Sequence, residues 1–248
     1  MTVFLLDKGL VFPPPDLADE GGLLAIGGDL SEKRLLLAYR MGIFPWYSEG
    51  DPLLWWSPDP RLILLPEEFH VSRRLARVIR QGVFRITMDE AFGRVIRACA
   101  EAPRDDQGSR GSLARAGTWI TGKMVDAYCR LHATGYAHSV ECWREDELAG
   151  GLYGVSLGNC FFGESMFSRA SDASKVALAA LVDHVKSWPF AMIDCQIATP
   201  HLSRMGAREV SRKEFLRLLK RNLGGETRRR KWSVHATNGI TLLPTIPI

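Results

Sequence analysis

The sequence predicts an α+β fold with a mixed sheet, and two patterns carry this prediction. The first is a meander of three period-two runs, at residues 138–144, 148–156 and 160–165, separated by tight turns. Such runs indicate antiparallel hairpins, because successive side chains of a strand point to opposite faces. The second is a long helical pattern at residues 173–188 that leads into an apolar strand at 191–197. Helices and strands in this order are typical of an α+β domain.

Shorter elements precede the meander. The pattern predicts a strand at residues 61–65, a helix at 72–81, a strand at 84–88, and helices at 89–100 and 121–134. In the helix at 72–81, Leu75, Val78 and Ile79 are the side chains expected to face inward. Residues 101–116 carry Pro, Gly, Ser, Asp and Arg without apolar periodicity, so we expect a mobile loop there.

The first part of the chain differs from the rest in composition. Turn-forming Pro, Gly and Asp residues are frequent up to residue 62, and only residues 31–41 have a helical pattern, with Ser31 as the N-cap and Gly42 as the stop. We therefore expect a small N-terminal α/β domain at residues 1–62 packed on a larger domain at 63–223. An irregular basic tail at 224–248 follows.

Composition excludes several classes of protein. The 248 residues carry a net charge of +4, which permits a polyanionic partner without requiring one. The five cysteines are scattered with no CxxC pair, which favours free thiols in a reducing cytoplasm. No segment has the roughly 20 apolar residues that cross a bilayer. The histidines lack ligand spacing, so we predict no metal site, and no GxxxxGK[ST] or GxGxxG motif is present.

One carboxylate lies in an apolar run. Glu164 is surrounded in sequence by Phe161, Phe162, Met166 and Phe167. An ionised carboxylate in such surroundings is costly unless it meets a partner. That partner is either an internal base, with Arg169 and Lys175 as the candidates in sequence, or a cation that arrives with a substrate.

A second polar pair lies on the apolar strand at residues 191–197. Asp194 and Gln196 are two apart, so a regular strand would place both on one face and Ile193, Cys195 and Ile197 on the other. The pair is either a satisfied buried network or a reactive site. A carboxylate and an amide so placed can orient an amine during acyl transfer.

Two further groups of residues allow either a structural or a functional interpretation. Trp46, Trp55, Trp56 and Trp119 lie near turns and either belong to the core or line a cavity. A basic cluster forms either a solvated face or a footprint for a phosphate backbone, which we favour because no acid interrupts it. The cluster consists of Arg73, Arg74, Arg77, Arg80 and Arg85.

Together these segments resemble the leucyl/phenylalanyl-tRNA–protein transferase family over about residues 12 to 219. The matching stretches are GLLAIGGDL at 22–30, GIFPW at 42–46, LWWSPDPR at 54–61, GTWIT at 117–121, HSVE at 138–141, WREDEL at 143–148, GESMFSR at 163–169, ASK at 173–175 and IDCQ at 193–196. The tail after residue 223 matches no family pattern.

The resemblance implies a function and a fold. The family transfers Leu or Phe, and Met less well, from aminoacyl-tRNA to proteins with an N-terminal Arg or Lys, which creates a degradation signal of the N-end rule. It implies a C-terminal domain related to the GNAT acyltransferases that works without coenzyme A or another cofactor. We expect a monomer in the cytoplasm, with no membrane partner.

The resemblance also implies residue roles. The acceptor-binding acid corresponds to Glu164, which we also count as catalytic, and the catalytic pair corresponds to Asp194 and Gln196. The basic cluster on and near the helix at 72–81 is expected to bind tRNA. Leu152 and Leu181 stand where we expect Met and Phe, which leaves the preference between Leu and Phe open. The expected donor pocket consists of Trp46, Trp119, Leu152, Phe161, Met166 and Leu181.

Two mechanisms and two rival functions stay open at this point. Either Gln196, polarised by Asp194, holds the attacking amine, or the ribose hydroxyl of the substrate removes the proton and the protein only orients it. The first rival is a peptidoglycan-bridge ligase that also uses aminoacyl-tRNA, although that family is generally longer and doubled. The second is a non-catalytic RNA-binding module that uses the arginine helix.

Overall fold

A computed structural model describes residues 3–102 and 119–234. Within them the chain folds into two mixed β-sheets with helices, so the prediction of a mixed α+β architecture is confirmed. The predicted loop at 101–116 lies outside the described residues except for its first two positions. Among the helices that are described, none is long and apolar enough to cross a membrane.

The N-terminal part contains a four-stranded sheet that the sequence analysis missed. Its strand order is β1-β2-β4-β3, with β1 parallel to β2 and the other pairs antiparallel. The strands are β1 (Phe4–Leu6), β2 (Leu23–Gly27), β3 (Phe44–Pro45) and β4 (Leu54–Trp56). Strands of two to five residues between turn formers leave no readable period, which explains the miss.

The helix of this part is the one predicted. Helix α1 (Glu32–Arg40) begins after Ser31, whose side chain accepts a hydrogen bond from the Arg34 N–H at 3.4 Å. Gly42 then takes a φ of 74°, a left-handed conformation that glycine adopts without strain. The buried side chains of α1, Leu35 and Tyr39 among them, face the core.

The larger sheet has seven strands in the order β11-β5-β10-β9-β8-β7-β6. The predicted antiparallel meander is present as β7–β9, and β9 pairs in parallel with β10 through a helical crossover. The strands are β5 (Arg61–Leu64), β6 (Arg85–Met88), β7 (Ala137–Arg144), β8 (Glu147–Leu157), β9 (Cys160–Ser168), β10 (Met192–Gln196) and β11 (Arg208–Val210).

Helices cover both faces of this sheet. One buried cluster packs α1, α3 and α4 against one face, and a second packs α2 and α5 against the other. Helices α6 and α7 and strand β11 were not predicted. The remaining helices are α2 (Arg73–Arg80), α3 (Phe92–Glu101), α4 (Gly122–Ala133), α5 (Ala173–Lys186), α6 (Pro200–Ser203) and α7 (Arg212–Asn222).

Strands β9 and β10 separate part-way along their length. Their parallel pairing runs from Cys160 opposite Met192 to Phe162 opposite Asp194 and then ends. At the same level each strand is irregular against its other neighbour: β9 shifts register against β8 beyond Gly163, and β10 shifts against β5 after Asp194. The sheet therefore opens between β9 and β10, and side chains of both strands line the opening.

Candidate active site

A pocket of about 460 Å³ occupies the opening between β9 and β10. Its wall includes Gly163 and Ser165 from β9 and Cys195 from β10, and its lining is mainly apolar. The structure brings all six residues of the expected donor pocket to this wall, although they come from five different elements or loops. These residues are Trp46, Trp119, Leu152, Phe161, Met166 and Leu181.

Glu164 lies at the polar end of this pocket and is bound by neutral donors. Its Oε1 accepts hydrogen bonds from the Tyr39 hydroxyl at 2.8 Å and from Gln196 Nε2 at 2.9 Å. Its Oε2 accepts one from the Tyr128 hydroxyl at 2.8 Å. The three partners come from α1, α4 and β10, so the carboxyl group joins the N-terminal part of the chain to the larger sheet.

The two tyrosine hydroxyls also contact each other, which closes a ring of three oxygen–oxygen contacts with the Glu164 carboxyl group. Two hydroxyl protons cannot serve three contacts. A proton on Glu164 supplies the third, because Oε2 can then donate to Tyr128, Tyr128 to Tyr39, and Tyr39 to Oε1. The ring is therefore fully hydrogen-bonded only in the protonated state of Glu164.

The electrostatics agree with this proton count. Burial raises the pKa of Glu164 to about 7, against the opposing effect of its three hydrogen bonds, and the nearby Asp194 charge adds to the rise. Burial also raises the pKa values of Tyr39 and Tyr128 well above the ordinary range, so both stay neutral donors. Near neutral pH the carboxyl group is close to its midpoint, and a nearby cation would shift it to the ionised form.

The internal partners proposed for Glu164 lie elsewhere. Arg169 pairs with Glu101 at 3.4 Å, and Lys175 pairs with Asp172 at 2.7 Å. Within residues 3–102 and 119–234, none of the ion pairs involves Glu164. The hypothesis of an internal salt bridge is therefore wrong for the described part of the chain.

Asp194, in contrast, is neutralised inside the protein. Arg61 binds both of its oxygens, with Nε at 2.8 Å from Oδ1 and Nη2 at 2.6 Å from Oδ2. Both side chains are buried, and the guanidinium group lies over the rings of Phe44 and Phe215 at 4.7 and 4.5 Å. Such a bidentate, desolvated pair is costly to break by removing one partner. Asp194 does not appear in the pocket wall.

The relation between Asp194 and Gln196 differs from the regular strand that the sequence suggested. Gln196 has a φ of 64°, and its backbone N–H donates to Asp194 Oδ1 at 3.0 Å. Because the alternation is broken here, Cys195, Gln196 and Ile197 all line the pocket. The Asp194 carboxylate thus contacts the backbone of Gln196 and not its amide side chain, so direct polarisation of that amide is not the observed arrangement.

Sequence reasoning missed the partners that define the site. Tyr39, Tyr128 and Arg61 were not considered as site residues. His201, at the start of α6, also lines the pocket, and burial lowers the pKa of its imidazole. The available signal was weak: a tyrosine on the buried face of a helix needs a partner for its hydroxyl, but the pattern does not say which.

All five arginines of the basic cluster are exposed, while Leu75 on α2 is buried as predicted. Arg74 also pairs with Asp172 at 3.1 Å, and Arg85 lies over the Trp143 ring at 5.3 Å. Helix α2 therefore presents four arginines to solvent, at 73, 74, 77 and 80. In the part of the chain that is described, no three His, Cys, Asp or Glu side chains form a metal-binding cluster.

Comparison with known proteins decides the family. Residues 28–59 match the family model described as the leucyl/phenylalanyl-tRNA protein transferase N-terminal domain, and residues 63–220 match the leucyl/phenylalanyl-tRNA protein transferase model. The chain belongs to this transferase family. It is therefore an aminoacyltransferase by family membership.

Similar relatives cover almost the whole chain. The leucyl/phenylalanyl-tRNA–protein transferase of Syntrophobacter fumaroxidans is 59% identical over 90% of this chain and 92% of its own length. The leucyl/phenylalanyl-tRNA–protein transferase of Anaeromyxobacter sp. strain Fw109-5 is 54% identical over 95% of this chain and 97% of its own length. Among solved structures, L-PGS from Bacillus licheniformis has a TM-score of 0.37 and 10% identity over 73% of this chain and 57% of that one, which is too distant to support an argument.

We expect the change Glu164→Gln to alter the free energy of unfolding in a pH-dependent way. The pKa of Glu164 is about 7 in the folded chain and 4.5 as its ordinary value. As pH rises, the unfolded chain therefore loses this proton before the folded chain does. The free energy of unfolding of the wild type falls as pH rises from 4.5 to about 7, and it falls no further at higher pH. Relative to wild type, the variant should gain on the order of 3 kcal/mol between pH 5 and pH 8.

Urea unfolding at pH 5, 6, 7 and 8 measures this difference. Glu209→Gln, at an exposed position on β11, is the matched control, because it removes a solvated carboxylate. Its difference from wild type should stay flat across the series. The account of the carboxyl group would be contradicted if the difference in free energy of unfolding between Glu164→Gln and wild type did not change with pH. It would also be contradicted if the variant gained stability as pH falls.

Proposed function

We propose that the chain transfers Leu or Phe, and Met less well, from aminoacyl-tRNA to the N-terminal Arg or Lys of acceptor proteins. The product carries a new peptide bond and would act as a degradation signal of the N-end rule. The observation that carries this proposal is an apolar pocket whose wall includes the buried carboxyl group of Glu164, which receives hydrogen bonds from neutral groups of the described residues. The names of the relatives supply the reaction class.

The apolar part of the pocket fits an uncharged donor side chain. Trp46 and Trp119 lie on one side, and Leu152, Phe161 and Leu181 come from the sheet and α5. Trp46 is held through its backbone carbonyl, which accepts a hydrogen bond from Trp56 Nε1 at 2.7 Å. A polar donor side chain would lose its hydration here without replacement, so Leu, Phe and Met are favoured over polar residues.

The acid end of the pocket fits a cationic acceptor. A guanidinium or ammonium group that approaches Glu164 stabilises the carboxylate. It thereby displaces the proton that is shared in the hydrogen-bonded ring of Glu164, Tyr39 and Tyr128. Binding of Arg or Lys is thereby coupled to release of that proton, and a charge-assisted hydrogen bond contributes about 1.5–3 kcal/mol. An acceptor protein with a neutral first residue leaves the proton on Glu164. Its binding gains no free energy from a charge-assisted hydrogen bond.

The chemistry needs only proximity and a neutral amine. The acceptor nitrogen attacks the ester carbonyl carbon, the bond from that carbon to the ribose oxygen breaks, and the amine proton ends on the released ribose hydroxyl. Because Gln196 donates its amide N–H to Glu164, its Oε1 is available to accept a hydrogen bond from the attacking amine. Asp194 would serve by fixing the Gln196 backbone, with Arg61 holding the carboxylate in place.

The geometry bears on the choice of base. Both oxygens of Asp194 are engaged by Arg61, and a bound acceptor cation lowers the pKa of Glu164, so the first route leaves Gln196 to hold the attacking amine. Proton transfer to the ribose hydroxyl of the substrate remains the second route, with the protein supplying orientation. We count Glu164, Asp194 and Gln196 together as the catalytic group of the proposal.

The fold and its division are also part of the proposal. We propose that residues 63–223 form a GNAT-like acyltransferase domain, residues 1–62 a small domain packed on it, and 224–248 a basic tail. The separation of parallel strands β9 and β10 around the pocket supports this. We further propose that the enzyme works in the cytoplasm as a monomer, without coenzyme A.

The two rival functions receive less support. A peptidoglycan-bridge ligase would not need a buried carboxyl group poised near pH 7, and the transferases named above match at 54–59% identity over nearly full length. A non-catalytic RNA-binding module would have no use for a pocket of about 460 Å³. An aromatic surface on which bases stack does not need a cavity of that size.

We expect purified protein to label peptides that begin with Arg or Lys when it is given radiolabelled Leu-tRNA. Peptides that begin with citrulline, which is neutral but shaped like Arg, or with Ala should react at least about tenfold less, since the charge-assisted bond to Glu164 is lost. Because ionisation of Glu164 has its midpoint near pH 7, the preference of Arg over citrulline should increase from pH 6 to pH 8.

Initial rates with the four peptides at each pH provide the measurement. Glu164→Gln should abolish the preference for Arg while leaving the affinity for a leucyl-adenosine analogue unchanged, and Glu209→Gln should behave as wild type. Equal labelling of the Arg and citrulline peptides by wild type would overturn the acceptor assignment. No transfer to any peptide would overturn the function.

We expect the double change Arg77→Glu and Arg80→Glu on α2 to weaken tRNA binding in a salt-dependent way. Each phosphate contact releases counterions, so losing two should reduce the slope of log affinity against log salt by about 2. Filter binding between 50 and 200 mM salt measures this slope. Lys33→Glu with Arg40→Glu, exposed positions on α1, makes the same change in net charge as a control. Equal slopes for both double variants would exclude α2 from the tRNA interface.

A further inference from the structure

The C-terminal strap, defined as residues 224–234, has irregular backbone but is held in place at several points. The Thr227 hydroxyl accepts a hydrogen bond from the Gly158 N–H at 2.9 Å, and Arg229 Nε donates to the Thr134 carbonyl at 2.9 Å. Arg228 lies over the Trp188 ring at 4.6 Å. The basic run of the tail thus contributes anchors to the folded chain, and near its end the strap carries one buried residue, Trp232.

Trp232 is inserted between the sheet and the end of α5. It is 2% exposed, its backbone N–H donates to Asp89 Oδ2 at 2.7 Å, and its ring stacks on that of His138 at 3.9 Å and 6°. His138 Nδ1 bonds the same Asp89 oxygen at 2.7 Å. Further rings surround it, with centroids 4.9 to 6.3 Å away, from His184, Trp188 and Phe190.

One neighbour of Trp232 belongs to the pocket. The rings of Trp232 and Phe161 are 5.7 Å apart at 38°, and Phe161 lines the pocket between β9 and β10. Trp232 itself is not part of the pocket wall. It therefore contacts a wall residue from outside the cavity.

Phe161 is restricted on the sides that face away from the pocket. A Cβ atom placed on Gly154 would lie 2.6 Å from Cε1 and Cζ of Phe161, so the phenyl ring packs directly on the backbone of Gly154. Trp232 contacts the same ring from outside the cavity, and Phe161 is fully buried. Removing the indole opens a cavity next to the phenyl ring, and the ring can move into that cavity.

The polar atom of the indole supports a role in shape. Trp232 Nε1 is buried and has no hydrogen-bond partner among the residues that the structure describes. An unsatisfied buried donor costs about 1–3 kcal/mol. A smaller apolar side chain would avoid this penalty, so the position uses the bulk of the indole and not its N–H.

We propose that Trp232 is a positioning residue for donor selection: it fixes Phe161 and thereby sets the depth of the donor pocket. This rests on the proposed function, in which the pocket holds the donor side chain. The strap, which lies beyond the residues that the family model matches, then contributes to the choice of aminoacyl group without touching it. Shape differences of one or two methylene groups in such a pocket change discrimination by about 10–200-fold.

The test measures dissociation constants of two non-hydrolysable donor analogues, leucyl-adenosine and 2-naphthylalanyl-adenosine with amide links. Trp232→Leu should lower the ratio of the naphthylalanyl to the leucyl dissociation constant by about tenfold, because the pocket becomes deeper. Trp232→Phe, which keeps a ring beside Phe161, should change the ratio by less and folds even if the Leu variant does not. Trp188→Leu is the control, since it removes an indole from the same ring cluster.

A double-mutant comparison shows whether the effect passes through Phe161. Phe161→Ala alone should lower the same ratio, and adding Trp232→Leu should then change it less than twofold. Full additivity, or equal ratios in Trp232→Leu and Trp188→Leu, would show that Trp232 is ordinary scaffold and overturn the proposal.

Leucine transfer by the wild-type protein is measured in parallel. If wild type binds the leucyl analogue but transfers nothing, the proposed function fails while the binding ratios still decide the role of Trp232. If wild type transfers leucine and the ratios do not move, only the role of Trp232 fails. If wild type does not bind the leucyl analogue, the pocket is not a donor pocket and both fail.

Discussion

The burial of the Glu164 carboxyl group among neutral donors is the constraint on which the rest of the site depends. Tyr39, Tyr128 and Gln196 together bind it, and they come from α1, α4 and β10. Each of these elements must therefore be in place before the carboxyl group is satisfied. The ring of oxygens favours the protonated state of Glu164, and a cation placed beside it would favour the ionised state.

The structure treats two nearby buried acids in opposite ways. Asp194 receives a permanent counter-ion, Arg61, and becomes a rigid support for the bulge that carries Gln196. Glu164 receives none from the described residues and stays close to its midpoint at neutral pH. A buried carboxyl group with a raised pKa beside a pocket is typical of a functional site. The separation of β9 and β10 lets the apolar pocket reach Glu164.

Much of the larger domain followed from sequence because its elements are long and regular. The helix at 72–81 and its inward face were predicted, and so was the meander. Glu164 was recognisable as an unusual charge, but its partners were not: Tyr39 is 125 positions away, and sequence gives no distance between such groups. The bulge before Gln196 was also not predicted, because the alternation of side chains between two faces holds only in a regular strand. The short strands of the first sheet were too brief to show a period.

The central claim, that Glu164 titrates near neutrality and awaits a cation, is tested most directly by carbon NMR. Side-chain carboxyl resonances of the protein labelled at glutamate Cδ are followed over pH, and Glu164→Gln identifies the signal. The account predicts a midpoint near 7 in the free protein and a clear downward shift when a dipeptide that begins with Arg is bound. A midpoint near 4.5 that does not respond to the dipeptide would contradict it.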